Sequence, residues 1–305
     1  MNNIIQAIKE SSRVLLFPHI HPDGDALGSC FALCSSLRAA GKQADVLLEE
    51  EYPARFSFMD ADYLIYDDVK QYTPDLCIAV DSSDTKRLGK RIAVFSGHTA
   101  CIDHHTTNEY FANVNYVQER AATGEMIFEL IQKMGLPLSK YEAEWLYTAI
   151  SSDTGNFKYS NTTSQTHMII SELYRVGIDA YKINKHLYDT RNYSELLLTK
   201  QAIENIQFYQ NKTVAVTYIP YSPDIDWEET GALSNLMSSI TGVEVGIFIK
   251  EAEPKKYKFS LRSNLTADVA KIASFFGGGG HVRAAGFEVE DINLQETIEK
   301  VVEMI

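Results

Sequence analysis

Continuous apolar runs alternate with helical patterns in the first part of the chain. The runs predict strands at 13–17, 44–48, 76–80 and 99–102. The last two runs show no alternation of apolar and polar residues, as is typical of parallel strands buried on both faces. Apolar residues three and four positions apart predict a helix at 26–40, which Gly41 would end. Strands separated by helical or mixed segments indicate a doubly wound, mainly parallel sheet.

The pattern becomes helical from about residue 122, and strands return after about residue 210. Helices are predicted at 122–134, 140–152, 164–176, 179–189 and 192–209. The last part predicts strands at 213–219, 243–250 and 256–262, with helices at about 228–240, 266–276 and 292–304. We therefore expect a second, smaller α/β domain. The predicted boundaries give a first domain at 1–187, a helical linker at 188–209 and a second domain at 210–305.

Composition and charge exclude several classes of protein. The chain has 305 residues, of which 45% are apolar and 23% charged, as in an ordinary globular protein. Its net charge of −13 argues against tight, sequence-blind binding of long duplex nucleic acid, and leaves short phosphorylated substrates open. The longest apolar runs are too short to span a bilayer, and the first thirteen residues lack the pattern of a signal peptide. Four cysteines without metal-site spacing predict core thiols in a reducing cytoplasm.

Acidic and histidine-bearing segments follow the predicted elements of the first domain at four places. They are His19 to Asp25, then Asp81, then Asp103-His104-His105, and finally Asp153. The carboxyl ends of the strands are where an open α/β sheet presents its ligand site. Carboxylates gathered there repel one another unless a cation joins them. The sequence therefore predicts a metal centre.

The spacing of these residues favours two cations rather than one. Pro22 and Gly24 fix a tight turn in which Asp23 and Asp25 point in different directions, so that His19 and Asp23 suit one cation and Asp25 the other. Asp81 has two oxygens and could be shared between them. Histidine mixed with carboxylates and no thiolate favours Mn²⁺. Taken singly, each segment has a plainer interpretation as a helix cap, a turn or a polar loop.

The second domain carries a cationic and glycine-rich signal. Alternation in the strand at 256–262 places Lys258, Ser260 and Arg262 on one polar face. Gly277 to Gly280 are followed by His281 and Arg283. Glycines leave backbone N–H groups unshielded, so Gly278, Gly279 and Gly280 would let a phosphate or base approach. A helix cap followed by a flexible loop is the alternative.

These motifs resemble those of the DHH-family phosphoesterases. The likeness lies in His19 to Ser29, Asp81 with Arg87-Leu88-Gly89, Asp103-His104-His105 and Asp153-Thr154-Gly155. The stretch Gly277 to Gly286 resembles the signature of the associated C-terminal domain. Ala122 to Glu125 and Ser260 to Ser263 fit the subgroup of NrnA-type oligoribonucleases and 3′-phosphoadenosine 5′-phosphate phosphatases.

The resemblance implies roles for individual residues. Two Mn²⁺ ions are expected, with Mg²⁺ or Co²⁺ as substitutes. His19, Asp23 and Asp81 would hold one ion, and the other would be held by Asp25, Asp81, His104 and Asp153. His105 would face the scissile phosphate, and Asp103 would orient a histidine. Arg262, Gly278, Gly279, Gly280, His281 and Arg283 would bind the rest of the substrate.

The implied activity is Mn²⁺-dependent hydrolysis of short oligoribonucleotides, including linear dinucleotides such as pApA. Removal of a phosphate from 3′-phosphoadenosine 5′-phosphate would be a second activity. The alternatives are a cyclic-dinucleotide (c-di-AMP) phosphodiesterase and a nucleotide-binding sensor without turnover. We expect no membrane partner, and the sequence is compatible with a homodimer.

Overall fold

A computed structural model of the chain describes residues 1–68, 73–223 and 233–305. The chain divides into two compact units, Met1–Thr190 and Arg191–Ile305. Within the described ranges, none of the helices combines the length and apolarity needed to cross a bilayer.

The first unit is built on a parallel sheet. Its strands are β1 (Arg13–Phe17), β2 (Gln43–Leu48), β3 (Leu64–Ile65), β4 (Leu76–Val80), β5 (Thr99–Asp103) and β6 (Val114–Val117). They are ordered β3-β2-β1-β4-β5-β6, and all described pairs are parallel. The strand order reverses between β1 and β4, which defines the switch point of a doubly wound fold. The predicted fold class is confirmed.

The helices of the first unit cover this sheet. They are α1 (Asn2–Glu10), α2 (Gly24–Ala39), α3 (Thr123–Met134), α4 (Lys140–Asp153), α5 (Ser164–Val176) and α6 (Ala180–Asn184), followed by a π-helical turn at Lys185–Asp189. Every residue of β4 is buried, as expected for a strand covered on both faces. The four cysteines are buried free thiols.

Glycine at position 28 allows α2 and α4 to pack closely. A Cβ atom there would lie 2.4 Å from the carbonyl oxygen of Trp145 and 2.8 Å from Cβ of Ala149. The contact is important for the site because α2 begins, and α4 ends, at residues predicted to bind metal.

The second unit contains a mixed sheet of its own. Its strands are β7 (Gln207–Tyr209), β8 (Val214–Ile219), β9 (Val245–Glu253), β10 (Lys256–Ser263), β11 (Gly279–His281) and β12 (Ala284–Glu290). They are ordered β11-β12-β10-β9-β8-β7, with a parallel pair only between β8 and β9 among the described strands. The helices are α7 (Tyr193–Glu204), α8 (Leu233–Leu236), α9 (Val269–Phe275) and α10 (Leu294–Glu303).

Several boundaries differ from the sequence prediction. The segment predicted as a linker, 188–209, supplies α7 and β7 to the second unit, since Leu198 and Ala202 pack with Ile219 and Phe248. The helix predicted at 228–240 starts outside the described residues. Short or glycine-containing strands (β3, β6, β7, β11 and β12) were not predicted, because they lack a sustained apolar run.

Candidate dinuclear metal centre

Neighbouring strands bring the predicted segments to one edge of the parallel sheet. His19 follows β1, Asp81 follows β4, and Asp103 is the last residue of β5. Because β4 pairs with both β1 and β5, these three chain positions are adjacent at the carboxyl end of the sheet. This is the switch-point edge at which open α/β folds bind ligands.

The turn between β1 and α2 brings its carboxylates close to the end of α4. Asp23 is the N-cap of α2 and accepts hydrogen bonds from the amides of Asp25 and Ala26, which fix its side chain. Asp25 therefore lies in the first turn of α2 and is not its cap. At position 24 a Cβ atom would lie 2.5 Å from Oγ of Ser152, so only glycine allows this approach.

One group of candidate ligands consists of His19, Asp23 and Asp81. Nε2 of His19 lies 3.7 Å from Oδ1 of Asp23 and 3.8 Å from Oδ2 of Asp81. Nδ1 of His19 donates a hydrogen bond to the carbonyl oxygen of Ile20 over 2.7 Å, which directs Nε2 toward the two carboxylates. One donor atom from each residue lies within 4.8 Å of the others, a spacing suited to a single cation.

A second group consists of Asp25, His104 and Asp153, again with donor atoms within 4.8 Å of one another. Nε2 of His104 lies 3.9 Å from Oδ2 of Asp25 and 3.6 Å from Oδ2 of Asp153. Nδ1 of His104 contacts the carbonyl oxygen of Arg120 at 3.1 Å, so this histidine also presents Nε2 to the site.

Asp81 lies between the two groups, and each of its oxygens faces a different one. Oδ2 faces Nε2 of His19 at 3.8 Å, whereas Oδ1 faces Nε2 of His104 at 3.6 Å. Its backbone has a φ of 58°, in the left-handed region that only a few non-glycine residues occupy. Such strained conformations cluster at ligand sites, where the surrounding structure holds them.

The electrostatics of the cluster favour a bound cation. Burial, followed by the charges of Asp81 and Asp153, raises the pKa of Asp25 well above its ordinary value. Burial also raises the pKa of Asp153, to about 7. The ion pairs of Asp25, Asp81 and Asp153 within the described residues are all with histidines. Carboxylate oxygens and imidazole nitrogens without thiolate form a donor set that fits Mn²⁺.

Asp103 and His105 form a pair beside these groups. Nδ1 of His105 donates to Oδ1 of Asp103 over 2.7 Å, and Asn108 donates to Oδ2 of Asp103 over 2.7 Å. Burial lowers the pKa of His105, but the hydrogen bond to Asp103 and the charge of Asp81 outweigh burial and raise it to about 9. Asp81, His104 and His105 form a third group whose donor atoms lie within 4.8 Å of one another, and Nδ1 of His105 lies 3.7 Å from Oδ1 of Asp81. The hydrogen bond of this Nδ1 to Asp103 competes with metal ligation.

In the second unit, the predicted substrate residues meet at one end of the sheet. Arg262 of β10 and His281 of β11 both pair in register with Ala284 of β12. Nε of Arg262 donates to the side chain of Asn235, and Nη1 of Arg283 donates to the carbonyl oxygen of Ala267. These contacts fix the two guanidinium groups on the sheet.

The last two glycines of the run, Gly279 and Gly280, begin the edge strand β11. A Cβ atom at Gly278 would lie 2.2 Å from the carbonyl oxygen of Gly286, and one at Gly280 would lie 2.5 Å from that of Ala284. These two glycines are therefore required by the contact with β12. Gly279 has nothing within 4 Å of its hypothetical Cβ, so its backbone is open to an approaching ligand.

Comparison with known proteins identifies the family of the chain. Residues 13–150 match the model of the DHH family N-terminal domain, and residues 211–305 match the DHHA1 domain. The chain is 30% identical to the bifunctional oligoribonuclease and PAP phosphatase NrnA of Thermus thermophilus, over 96% of this chain and 89% of that protein. The chain belongs to the DHH family.

Further relatives extend the likeness over nearly the full length. A probable NrnA of Streptococcus mutans is 29% identical over 93% of this chain and 91% of that protein. The crystal structure of an exopolyphosphatase-related protein from Bacteroides fragilis superimposes with a TM-score of 0.90 at 28% identity. That match covers 99% of this chain and 94% of the other.

Two buried residues of the DHH domain contact the cluster without having been singled out from the sequence. Asn108 holds Asp103, and Thr123 hydrogen-bonds to both Asp25 and Asp81. Thr123 belongs to the stretch Ala122 to Glu125, which the sequence marked only as a point of family likeness. Its contacts join parts of the chain far apart in sequence, so no local pattern could reveal them.

Proposed function

We propose that this DHH-family protein is a Mn²⁺-dependent phosphoesterase that hydrolyses short oligoribonucleotides, including linear dinucleotides such as pApA, to mononucleotides. We further propose that it converts 3′-phosphoadenosine 5′-phosphate to AMP. The observation that carries the proposal is Asp81, whose two oxygens face two separate groups of candidate ligands. The names of the Thermus and Streptococcus relatives support the choice of substrates.

The chain supplies enough ligands for two ions. We assign His19, Asp23 and Asp81 to one, and the other to Asp25, Asp81, His104 and Asp153. When bound, a pair of divalent ions lowers the pKa of a water molecule and neutralises charge on a phosphoryl oxygen. Mg²⁺ or Co²⁺ would substitute, because the donors are oxygen and imidazole nitrogen.

We assign His105 to the scissile phosphate. Asp103 engages Nδ1 of His105 and so fixes the plane of the ring, which leaves Nε2 to hydrogen-bond or protonate a phosphate oxygen. Asn108 in turn holds Asp103, so that the carboxylate keeps its orientation. The pair therefore positions a proton donor without using the ring as a metal ligand.

Replacing His105 by Ala is expected to lower kcat by about 10²- to 10⁴-fold, the range for loss of a positioned acid or base. Two equivalents of Mn²⁺ should still bind, as measured by calorimetry. His98→Ala is the control, because His98 is an exposed histidine of the same unit. If His105→Ala bound one Mn²⁺ fewer, His105 would be a ligand and this assignment would fail.

We assign the far end of the substrate to Arg262, His281 and Arg283, together with the backbone of Gly278, Gly279 and Gly280. A guanidinium group that is already held by hydrogen bonds binds a phosphate or base edge at a lower cost in side-chain entropy. In this proposal the DHH domain, 1–187, performs the chemistry, and the DHHA1 domain, 210–305, selects the substrate.

Arg262→Ala is expected to raise KM for a dinucleotide by about tenfold or more, since a charged hydrogen bond contributes about 1.5–3 kcal/mol. Hydrolysis of a simple aryl phosphodiester, which lacks a second nucleoside, should change little. Lys258→Ala is the control, because Lys258 lies on the same strand and pairs with Glu288. Equal losses on both substrates would contradict a role in substrate binding.

The proposal is tested by product formation over time from four substrates in Mn²⁺. They are a dinucleotide, a pentanucleotide, 3′-phosphoadenosine 5′-phosphate and a cyclic dinucleotide. We expect mononucleotides from the first three and no turnover without metal. Preferential turnover of the cyclic dinucleotide would favour a c-di-AMP phosphodiesterase instead. Retention of nucleotide without turnover or two equivalents of Mn²⁺ would indicate a sensor.

The four buried free cysteines support placing this activity in the reducing cytoplasm. Sedimentation of the holoenzyme tests whether the chain forms a homodimer.

A further inference from the structure

A segment without any assigned metal ligand touches most of the ligands of the second group. It is the connection at residues 120–124, which leads from β6 into α3. The carbonyl oxygen of Arg120 holds Nδ1 of His104. The side chain of Asn161 donates to the carbonyl oxygens of both Ala121 and Asp153, which ties the end of α4 to the same segment.

Thr123 makes the most direct contacts. Its amide donates to Oδ2 of Asp25 over 2.7 Å, and the neighbouring amide of Gly124 donates to Oδ1 of Asp25 over 2.9 Å. Its hydroxyl donates to Oδ1 of Asp81 over 2.8 Å. Thr123 is 0% exposed, so water does not compete for these bonds. One residue therefore hydrogen-bonds to a ligand of the second group and to the carboxylate between the groups.

The hydroxyl is the part of Thr123 that contacts Asp81. Within the described part of the chain, it gives the only hydrogen bond that the Asp81 carboxylate accepts. The terminal torsion of an aspartate is broad, so covalent geometry alone does not set which oxygen faces which group. The bond is made to Oδ1, the oxygen that faces His104, and Oδ2 is left facing His19.

The backbone of Thr123 is held firmly enough to act as a reference point. Thr123 is the first residue of α3, and the amides at the start of a helix favour a carboxylate. At Gly124 a Cβ atom would lie 2.7 Å from Cβ of Ala149, so the start of α3 is packed tightly against α4. The hydroxyl therefore has little freedom to move away from Asp81.

We propose that Thr123 is a positioning residue that orients Asp81 and Asp25 so that two cations can share the Asp81 carboxylate. This inference rests on the proposed two-metal function and adds a requirement for one particular hydroxyl. The hydroxyl controls occupancy by both ions, because rotation of Asp81 withdraws an oxygen from each group.

The test is calorimetric titration of Mn²⁺ into the full chain and into its Thr123→Val and Thr123→Ser variants. Valine keeps the shape and the backbone amide but lacks the hydroxyl, whereas serine keeps the hydroxyl. We expect valine to weaken Mn²⁺ binding by about ten- to a hundredfold, the usual effect of losing a hydrogen-bond partner of a ligand. Serine should bind two equivalents within a fewfold of the wild-type affinity.

Two controls separate loss of the hydroxyl from damage to packing. Thr217→Val removes another buried hydroxyl, one that bonds to the carbonyl oxygen of Ala202 in the second unit, and should leave Mn²⁺ binding unchanged. Thr123→Ala also lacks the hydroxyl but has a smaller side chain. Equal weakening in the alanine and valine variants supports the hydroxyl, whereas full affinity in either would overturn the inference.

The outcomes also distinguish this inference from the proposed function. If the wild-type chain binds two Mn²⁺ and Thr123→Val binds them equally well, only the role of Thr123 is overturned. If the wild-type chain binds no pair of ions, the two-metal function is overturned, and this inference with it.

Discussion

Replacing Asp81 by Asn is expected to lower the rate of oligoribonucleotide hydrolysis by at least about a thousandfold, because several kcal/mol of metal-derived stabilisation are lost at about 1.4 kcal/mol per tenfold. Each Asp81 oxygen faces a different ligand group, so loss of its charge weakens both. Calorimetry should show fewer than two equivalents of Mn²⁺. The rate is measured on a dinucleotide under saturating Mn²⁺.

Asparagine at position 81 tests the negative charge alone, because it can adopt the same backbone conformation as Asp81. Asp81 has a φ of 58°, and Asn is among the few non-glycine residues that occupy this region readily. Asp60→Asn is the matched control, because Asp60 is an exposed carboxylate of the same unit. An Asp81→Asn variant that kept a tenth of the wild-type rate would show that the carboxylate is not shared between two ions.

Asp81→Asn is also expected to change the thermal stability of the protein. Burial, followed by the charges of Asp81 and Asp153, raises the pKa of Asp25, so the charged form of Asp25 is disfavoured in the folded chain without metal. Asp81→Asn removes one of the charges that face Asp25 and should therefore stabilise the metal-free protein by on the order of 1 kcal/mol. The melting midpoint in chelator should rise by about 2–4 °C.

In the presence of Mn²⁺, the wild-type chain should instead have a higher melting midpoint than Asp81→Asn. A ligand that binds only the folded state at a hundred times its dissociation constant adds about 2.7 kcal/mol, so the wild-type midpoint should rise strongly and the variant midpoint much less. Melting curves with chelator and with Mn²⁺, for the wild-type chain and for both Asp variants, provide the comparison. A wild-type midpoint that does not respond to Mn²⁺ would contradict the cluster's assignment as a metal site.

Much of the DHH domain could be predicted from the sequence because its strands are continuous apolar runs. Burial on both faces allows no polar residue within β4, so Asp81 marks the end of that strand unambiguously. Parallel strands align their carboxyl ends, and the residues after β1, β4 and β5 are therefore neighbours in the structure.

The hydrogen bonds within the cluster could not be predicted in this way. Thr123 is 98 residues from Asp25 and 42 from Asp81, and its role depends on where α3 starts. The direction of each Asp81 oxygen is likewise set by packing among three strands and two helices. Periodicity reports which face of an element is buried, but it does not report such contacts.

In the second unit, β11 and β12 were harder to predict because they contain glycine. Gly278 and Gly280 pack against the backbone of β12, and Gly286 packs against the carbonyl oxygen of Phe259 in β10, so a side chain at any of them would collide. Glycine-rich sequence is usually a loop signal, so it does not predict a hairpin at this position. Its strands are revealed by their pairing, because β12 pairs with β10 and β11 pairs with β12.

Anomalous diffraction from crystals grown with Mn²⁺ tests the central claim most directly. The account predicts two peaks about 3.5–4 Å apart, one beside each oxygen of Asp81. His19 and Asp23 should contact the first peak, and Asp25, His104 and Asp153 the second. A single peak, or a pair of peaks that Asp81 does not join, would contradict it.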